Sequence, residues 1–385
     1  MNGAFKFFAP LVAVLAVAAC SAGGSSSVPV PGWQSNGLAR AACDTAPPGG
    51  ARCLVLVESK GGARPNVSGW GPSDIQTAYN LPSSTKGTGE LVAIVDAYDN
   101  PDVTSDLGEY RSYFGLGTAK FHKYNQKGQQ SNYPQGSPGW GVEIDLDAQM
   151  VSAACPKCTI DLIEANSENS SDLQTAEAEA VKLGAHIISN SWICYSYSCT
   201  IDPSYFDKKG VVYTAGSGDD GYGQIGPPMS LATVTAVGGT TLAKNSSGYS
   251  ETVWPYAGAG CTSEIKKPKW QHDPSCSYRT AADVSAVADN VAEYDTFSGG
   301  GWFTVGGTSV ATPLIAAVYA LAGNASKVHA DKQLWSKKAS KGLHVITSGS
   351  DGSCGGSYLC TAGTGQYKTY AGPTGWGTPD GVSAF

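Results

Sequence analysis

The chain has 385 residues, 41% hydrophobic and 15% charged, with 49 glycines and a formal net charge of −7. That is enough apolar material for a core in one large domain or two ordinary ones, and a charged fraction well below the roughly 25% of an average soluble domain. With an acidic balance and no run of Lys or Arg, nucleic acid is excluded as an expected partner.

Residues 1–20 read as an export signal: Lys6 precedes "APLVAVLAVAA", an apolar segment too short to span a bilayer and followed by small residues. The segment ends "VAAC-SAGGSSS". Two readings stay open there: a lipoprotein box with a lipid anchor at Cys20, or an ordinary cleaved signal that contains a cysteine. Residues 21–67, rich in Gly, Ser, Pro and Ala with one short apolar run "CLVLV", read as a linker or leader remnant. The folded domain is expected over 68–385.

Within it, strands and helices alternate. "GELVAIVDAYD" reads as a buried strand ending at Asp96, "VTSDLGEYRSYFG" as an amphipathic helix, "WGVEIDLDAQMVSAAC" as a second helix and "TIDLIEA" as a strand. "DLQTAEAEAVKLG" reads as a helix closed by Gly184. "AHIISNSW", "GVVYTAGSGD" and "TVTAVGGTTL" read as strands, and "SVATPLIAAVYALAG" as a long apolar helix. This alternation predicts an α/β fold, a mostly parallel sheet with helices on both faces, with the chemistry in loops at strand ends. No internal repeat is visible, and one domain is expected.

There are 11 cysteines. Ten fall into close pairs, Cys43/Cys53, Cys155/Cys158, Cys194/Cys199, Cys261/Cys276 and Cys354/Cys360, leaving Cys20 over. Pairing between sequence neighbours in an oxidising compartment is the simplest arrangement. "CPKC" at 155–158 also suits zinc or a redox dithiol, but no second CxxC or His pair accompanies it, which favours a short structural disulfide.

"GGTSVATP" places Ser309 between small residues, directly before the apolar helix, as subtilisin-like peptidases place their nucleophile. A serine nucleophile needs a base. None of the five histidines, His122, His186, His272, His329 and His344, lies in a box suited to that role. Glu143 and Asp147, four apart on a predicted helix, share a face. Two carboxyls held close share protons, which raises one pKa and equips it for general-base work. Acids near the N-terminus of an amphipathic helix give the same pattern, and Asp145, on the opposite face, reads as one of those. Asp219 in "YTAGSGDDG" follows an apolar strand; protonated, it would donate a hydrogen bond to an oxyanion, whereas Asp220 reads as a turn residue. Asp96 is a further acid at a strand end and a candidate member of the site. The loop after "SNSW", holding Cys194 and Cys199, reads either as a substrate-pocket wall or as a stapled surface loop.

In this order, Glu, Asp, Asp and Ser with no usable histidine resemble the sedolisin family of serine-carboxyl peptidases. The resemblance runs from about Trp70 to Phe385 through "GELVAIVDAYDNP", "EIDLDAQMVSAACPKCTIDLIEA", "TAGSGDDGYG", "VTAVGGTTL", "SETVW", "DVSAVAD", "GGTSVATPLIAAVYALAG" and "TGWGTPDG". It implies a subtilisin-like three-layer α/β/α fold and acid-optimal endopeptidase activity on polypeptides. It makes Ser309 the nucleophile, Glu143 the base, Asp147 its partner and Asp219 the oxyanion-hole acid. A secreted, periplasmic or extracellular monomer is expected.

Three departures stand out. Members usually carry a large prodomain, which the short stretch between Cys20 and Trp70 does not match. The family's calcium site takes two aspartates, at positions where this chain has Val345 ("HVITSG") and Ala371 ("YAGPTG"). Calcium depends on hard oxygen ligands, so no cofactor is expected, although Asp351 and Asp380 lie near enough in sequence to substitute. Ile193 and Cys194 stand where glycines often follow the "SNSW" segment. These losses keep a rival open, an inactive peptidase-fold surface or binding protein. A non-peptidase serine hydrolase would need a Gly-x-Ser-x-Gly elbow, which "GTSVA" does not match.

Overall fold

The computed structural model describes residue 1 and residues 39–58, 67–336, 341–364 and 369–385, without the side chains of residues 330 and 331. The chain divides into Met1–Gln34 and Ser35–Phe385. The export-signal and Cys20 readings lie outside the described residues. No described helix is long and apolar enough to cross a membrane.

The centre of the Ser35–Phe385 unit is a sheet whose strands run, edge to edge, Gly248–Val253, Val234–Asn245, Val212–Gly216, Ile187–Asn190, Leu91–Ala97, Thr159–Ala165 and Lys120–Asn125. Pairing is parallel throughout except for the Gly248–Val253 edge, and Val284–Val287 adds a further parallel strand on Val234–Asn245. The inner strands carry continuous apolar runs such as "LVAIV" because helices cover both faces. Helices Pro138–Ala154 and Thr308–Ala322 pack on each other over one face. Helix Ser170–Lys182 covers the strands Leu91–Ala97 and Thr159–Ala165 on the other, and it does end at Gly184, which has a φ of +98°. This is the three-layer α/β/α arrangement expected from the alternation.

Two expectations need correction. The stretch 21–67 is not simply a linker: its described part, 39–58, is built into the fold. Arg40–Ala41 pairs with Leu56–Val57, Leu56–Val57 pairs with Gly301–Gly306, and Arg52–Cys53 pairs with Trp192–Ile193, all antiparallel. Ala51, Leu54 and Val55 are each 1% exposed. Asp145, expected on a polar helix face, is wholly buried. Helix Pro138–Ala154 has no solvent face from Trp140 onward, so its acids are all interior. Asn100 Nδ2 donates to Asp145, and the oxygens of Asp145, Asp106 and Asp295 lie within 4.8 Å of one another.

All five close cysteine pairs form disulfides.

Candidate active site

Three adjacent central strands end in a row, and each delivers a polar group to the same place. Leu91–Ala97 brings Asp96, Ile187–Asn190 is followed by Ser191, and Val212–Gly216 is followed by Asp219. The two packed helices supply the rest. Pro138 opens one helix at its first turn, where a missing N–H costs nothing, and that helix carries Glu143 and Asp147. The other starts at Thr308 behind Gly307, whose φ of +119° suits glycine alone, so Ser309 sits in its first turn. Asp96, Glu143, Asp147 and Ser309 are fully buried, and Asp219 is 2% exposed.

The acids form a chain of contacts. Ser191 Oγ donates to Asp147 Oδ1 at 2.7 Å, and Ser309 Oγ donates to the Ser191 carbonyl at 3.4 Å. Glu143 Oε2 accepts the Leu54 N–H at 2.9 Å. Burial raises the Glu143 pKa well above its usual value; the Asp147 and Asp96 carboxyls add to the rise, and the Ser309 hydroxyl partly offsets it. Burial and Asp96 likewise raise Asp147, and burial pushes Asp96 up to about 8. Both Asp96 oxygens, Glu143 Oε1 and Asp147 Oδ2 have no hydrogen-bond partner among the described residues. Carboxyls gathered this closely share protons, and the first ionisation belongs to the set.

Asp219 is arranged differently. Its Oδ1 accepts from Thr308 N at 2.8 Å and from Thr308 Oγ1 at 2.9 Å, while Oδ2 has no partner. Burial pushes its pKa up to about 7, against the pull of the two Thr308 bonds. Because Oδ1 is committed as an acceptor, a proton on this carboxyl belongs on Oδ2, beside the first turn of the Ser309 helix. The helix N-terminus adds positive potential there.

The five histidines lie elsewhere. His122, His186, His272 and His329 are exposed and His344 is half-buried. His122 faces Asp161, His186 faces the Gly210 carbonyl and His344 faces Asp380.

A family model described as the subtilase family matches residues 122–377. The chain belongs to the subtilase family. Within it, the sedolisin resemblance is supported by two curated relatives. Kumamolisin from Bacillus sp. (strain MN-32) is 28% identical over 285 residues, 65% of this chain and 51% of the relative. Sedolisin from Pseudomonas sp. (strain 101) is 25% identical over 360 residues, 82% of this chain and 60% of the relative. This subtilase thus spans between half and two thirds of the length of those relatives. Its fold matches the structure of Pseudomonas sedolisin (serine-carboxyl proteinase) complexed with pseudo-iodotyrostatin at a TM-score of 0.67, with 23% identity over 82% of this chain and 96% of that chain. Sphericase matches at 0.53, with 19% identity over 82% of this chain and 98% of that chain.

At the two positions where the resemblance calls for calcium-binding aspartates, the side chains of Val345 and Ala371 offer no oxygen. Ala371 joins Val253, Ile346 and Ala362 in a small buried apolar cluster, and Val345 precedes Ile346 in the chain. Asp380 is 41% exposed at its side chain and is taken up by Asn80 and His344. Asp351 is buried; its backbone carbonyl accepts from Tyr222 N, and both carboxylate oxygens are without a partner among the described residues.

Sequence reading assigned no role to Ser191 or to the Leu54 backbone. Ser191 had a signal, since it ends a parallel strand beside those of Asp96 and Asp219. Leu54 had none, because its partners lie 89 residues and more away in sequence.

Proposed function

We propose that this subtilase is a serine-carboxyl endopeptidase working at acidic pH outside the cytoplasm. The observation that carries the proposal is the cluster of Ser309, Glu143 and Asp147 in one dry site, with Asp219 presenting a free Oδ2 at the head of the Ser309 helix and every histidine at or near the surface. Ser309 Oγ would attack a peptide carbonyl as its proton passes to the shared Glu143/Asp147 carboxyls. A protonated Asp219 would hold the resulting oxyanion and become less able to do so as pH rises through about 7. Lowering the pH far enough neutralises the Glu143, Asp147 and Asp96 set and removes the base. The two limits make a bell-shaped profile with its alkaline limb near 7, and its optimum is acidic when the first ionisation of the shared set falls below that limb. Five disulfides favour an oxidising compartment.

The test is hydrolysis of denatured casein from pH 3 to 8 by the full chain and by Ser309→Ala. Cleavage strongest below neutral pH and lost in Ser309→Ala is expected. Equal rates in the two proteins would overturn the proposal, and no cleavage by either would favour the binding-protein reading.

A further inference from the structure

The strand Arg52–Cys53 and Leu54 run past the candidate active site in extended, antiparallel pairing, as a bound peptide segment would. Arg52 pairs with Ile193 and Cys53 with Trp192, antiparallel, on the short strand that follows Ser191. The Leu54 N–H is shared between the Ser191 carbonyl, at 3.2 Å, and Glu143 Oε2, at 2.9 Å. The Leu54 carbonyl points at Gly307: a methyl group on Gly307 would stand 1.9 Å from that oxygen and 2.9 Å from Asp219 Oδ2. The Leu54 side chain enters the sheet end, where a methyl group on Gly216 would come within 2.8 Å of Leu54 Cδ1. One residue's N–H thus meets Glu143, its carbonyl lies against Gly307 next to Asp219, and its side chain is buried at Gly216.

In an extended strand the side chains of residues i and i+2 lie on one side, so Arg52 shares the side of Leu54. Its guanidinium is received by two residues. Arg52 Nη2 pairs with Asp220, and its Cζ stands 4.7 Å over the ring of Tyr195. The two charged side chains are only 24% and 11% exposed. A planar cation held by a carboxylate on one side and an aromatic face on the other is a selective arrangement for a basic group. Asp220, expected as a turn residue, does lie in a bend, with its carboxylate on Arg52.

We propose that the groove selects peptide segments with an apolar residue at the position Leu54 holds and a basic residue two positions before it, read by Asp220 and Tyr195. This rests on the peptidase reading for its meaning as specificity, but its test does not depend on turnover. Fluorescently labelled hexapeptides with Leu at the fifth position and either Arg or Gln at the third are titrated against the full-length Ser309→Ala protein. Any peptide must displace the chain's own strand, but that cost is common to both and cancels in the ratio. The Arg peptide is expected to bind about tenfold tighter, and adding Asp220→Asn should bring the ratio close to one. Asp220→Lys should reverse the preference toward a Glu peptide, an outcome that only a folded protein can give. Equal binding of the Arg and Gln peptides, binding of neither, or a ratio unmoved by both Asp220 variants would overturn the inference. Casein cleavage by the unsubstituted chain tests the peptidase reading separately.

Discussion

The sheet end beneath Ser309 gathers several buried acids, whereas among the described residues the loops around Ala371 hold a single one, Asp351, beside an apolar cluster. At the first, Asp96, Glu143, Asp147 and Asp219 remain in dry surroundings with at least one oxygen each unpartnered. At the second, the resemblance calls for two aspartates and the chain supplies Val345 and Ala371, the latter in an apolar cluster. An isolated buried charge costs several kcal/mol, so Asp96, Glu143 and Asp147 must be neutral or share one charge, whereas Asp219 also feels the Arg52 guanidinium. The first region is therefore organised around protons. The second has apolar residues at both of those positions and keeps one dry acid nearby, Asp351.

The largest break in that contrast should come from Glu143→Gln. The amide cannot take the serine proton, and kcat should fall by on the order of 10²-fold or more. A rate within a few-fold of the unsubstituted chain would remove Glu143 from the base role.

Asp219→Asn sharpens the same region. Its Oδ1 can still accept from Thr308, and its amide N–H₂ takes the place of Oδ2 as a donor that needs no added proton. The fall in kcat/KM as pH rises through about 7 should then disappear. If it persists, the alkaline limb belongs to another group.

A smaller effect should appear in stability. Burial is the main cause that lifts Asp219 to about 7, Asp96 and Asp351 to about 8, and Asp289 to about 6. Each folded pKa exceeds the unfolded one, so the folded chain holds more protons between roughly pH 4 and 8. Stability must then fall as pH rises through that window, by about 1.4 kcal/mol per pH unit for each proton involved. The two acids shifted the other way, Asp74 and Asp202, lie nearer the surface and are more strongly screened. Melting should occur several degrees higher at pH 5 than at pH 8. The reverse order would mean that these carboxyls are paired rather than dry.

The smallest expected effect is none at all. EGTA should leave both Tm and activity unchanged, because neither Val345 nor Ala371 offers a side-chain oxygen. A drop of several degrees restored by calcium would show that other ligands rebuild the site.

Much of this was legible in the residues. The spacing of Glu143 and Asp147 places both on one helix face, and both do converge on one site with Ser309. The strand before Asp219 ends where an α/β sheet gathers its chemistry. What failed was the assumption of a wet face on helix Pro138–Ala154. Spacing reports which residues share a side and not whether that side meets water, so Asp145 was misjudged. The role of residues 39–58 was hidden for a different reason. "CLVLV" is too short to carry a period, and its pairing partners are Trp192–Ile193 and Gly301–Gly306, which only the folded chain brings near. Asp220 does lie in a bend as expected, but its pairing with Arg52 was hidden because that arginine belongs to the same unread strand.

The five disulfides join residues 10, 3, 5, 15 and 6 positions apart. A chain threaded across a membrane from its N-terminus would bring both partners of each bond into the oxidising side almost together, before the next pair arrives. The order of emergence then selects the partners, and little reshuffling by an isomerase is called for. Loops this short also restrict the unfolded chain only modestly, by about 3 kcal/mol for the longest. The crosslinks pin individual corners against unravelling and proteolytic nicking, while the sheet and its two helix layers decide whether the molecule as a whole stays folded.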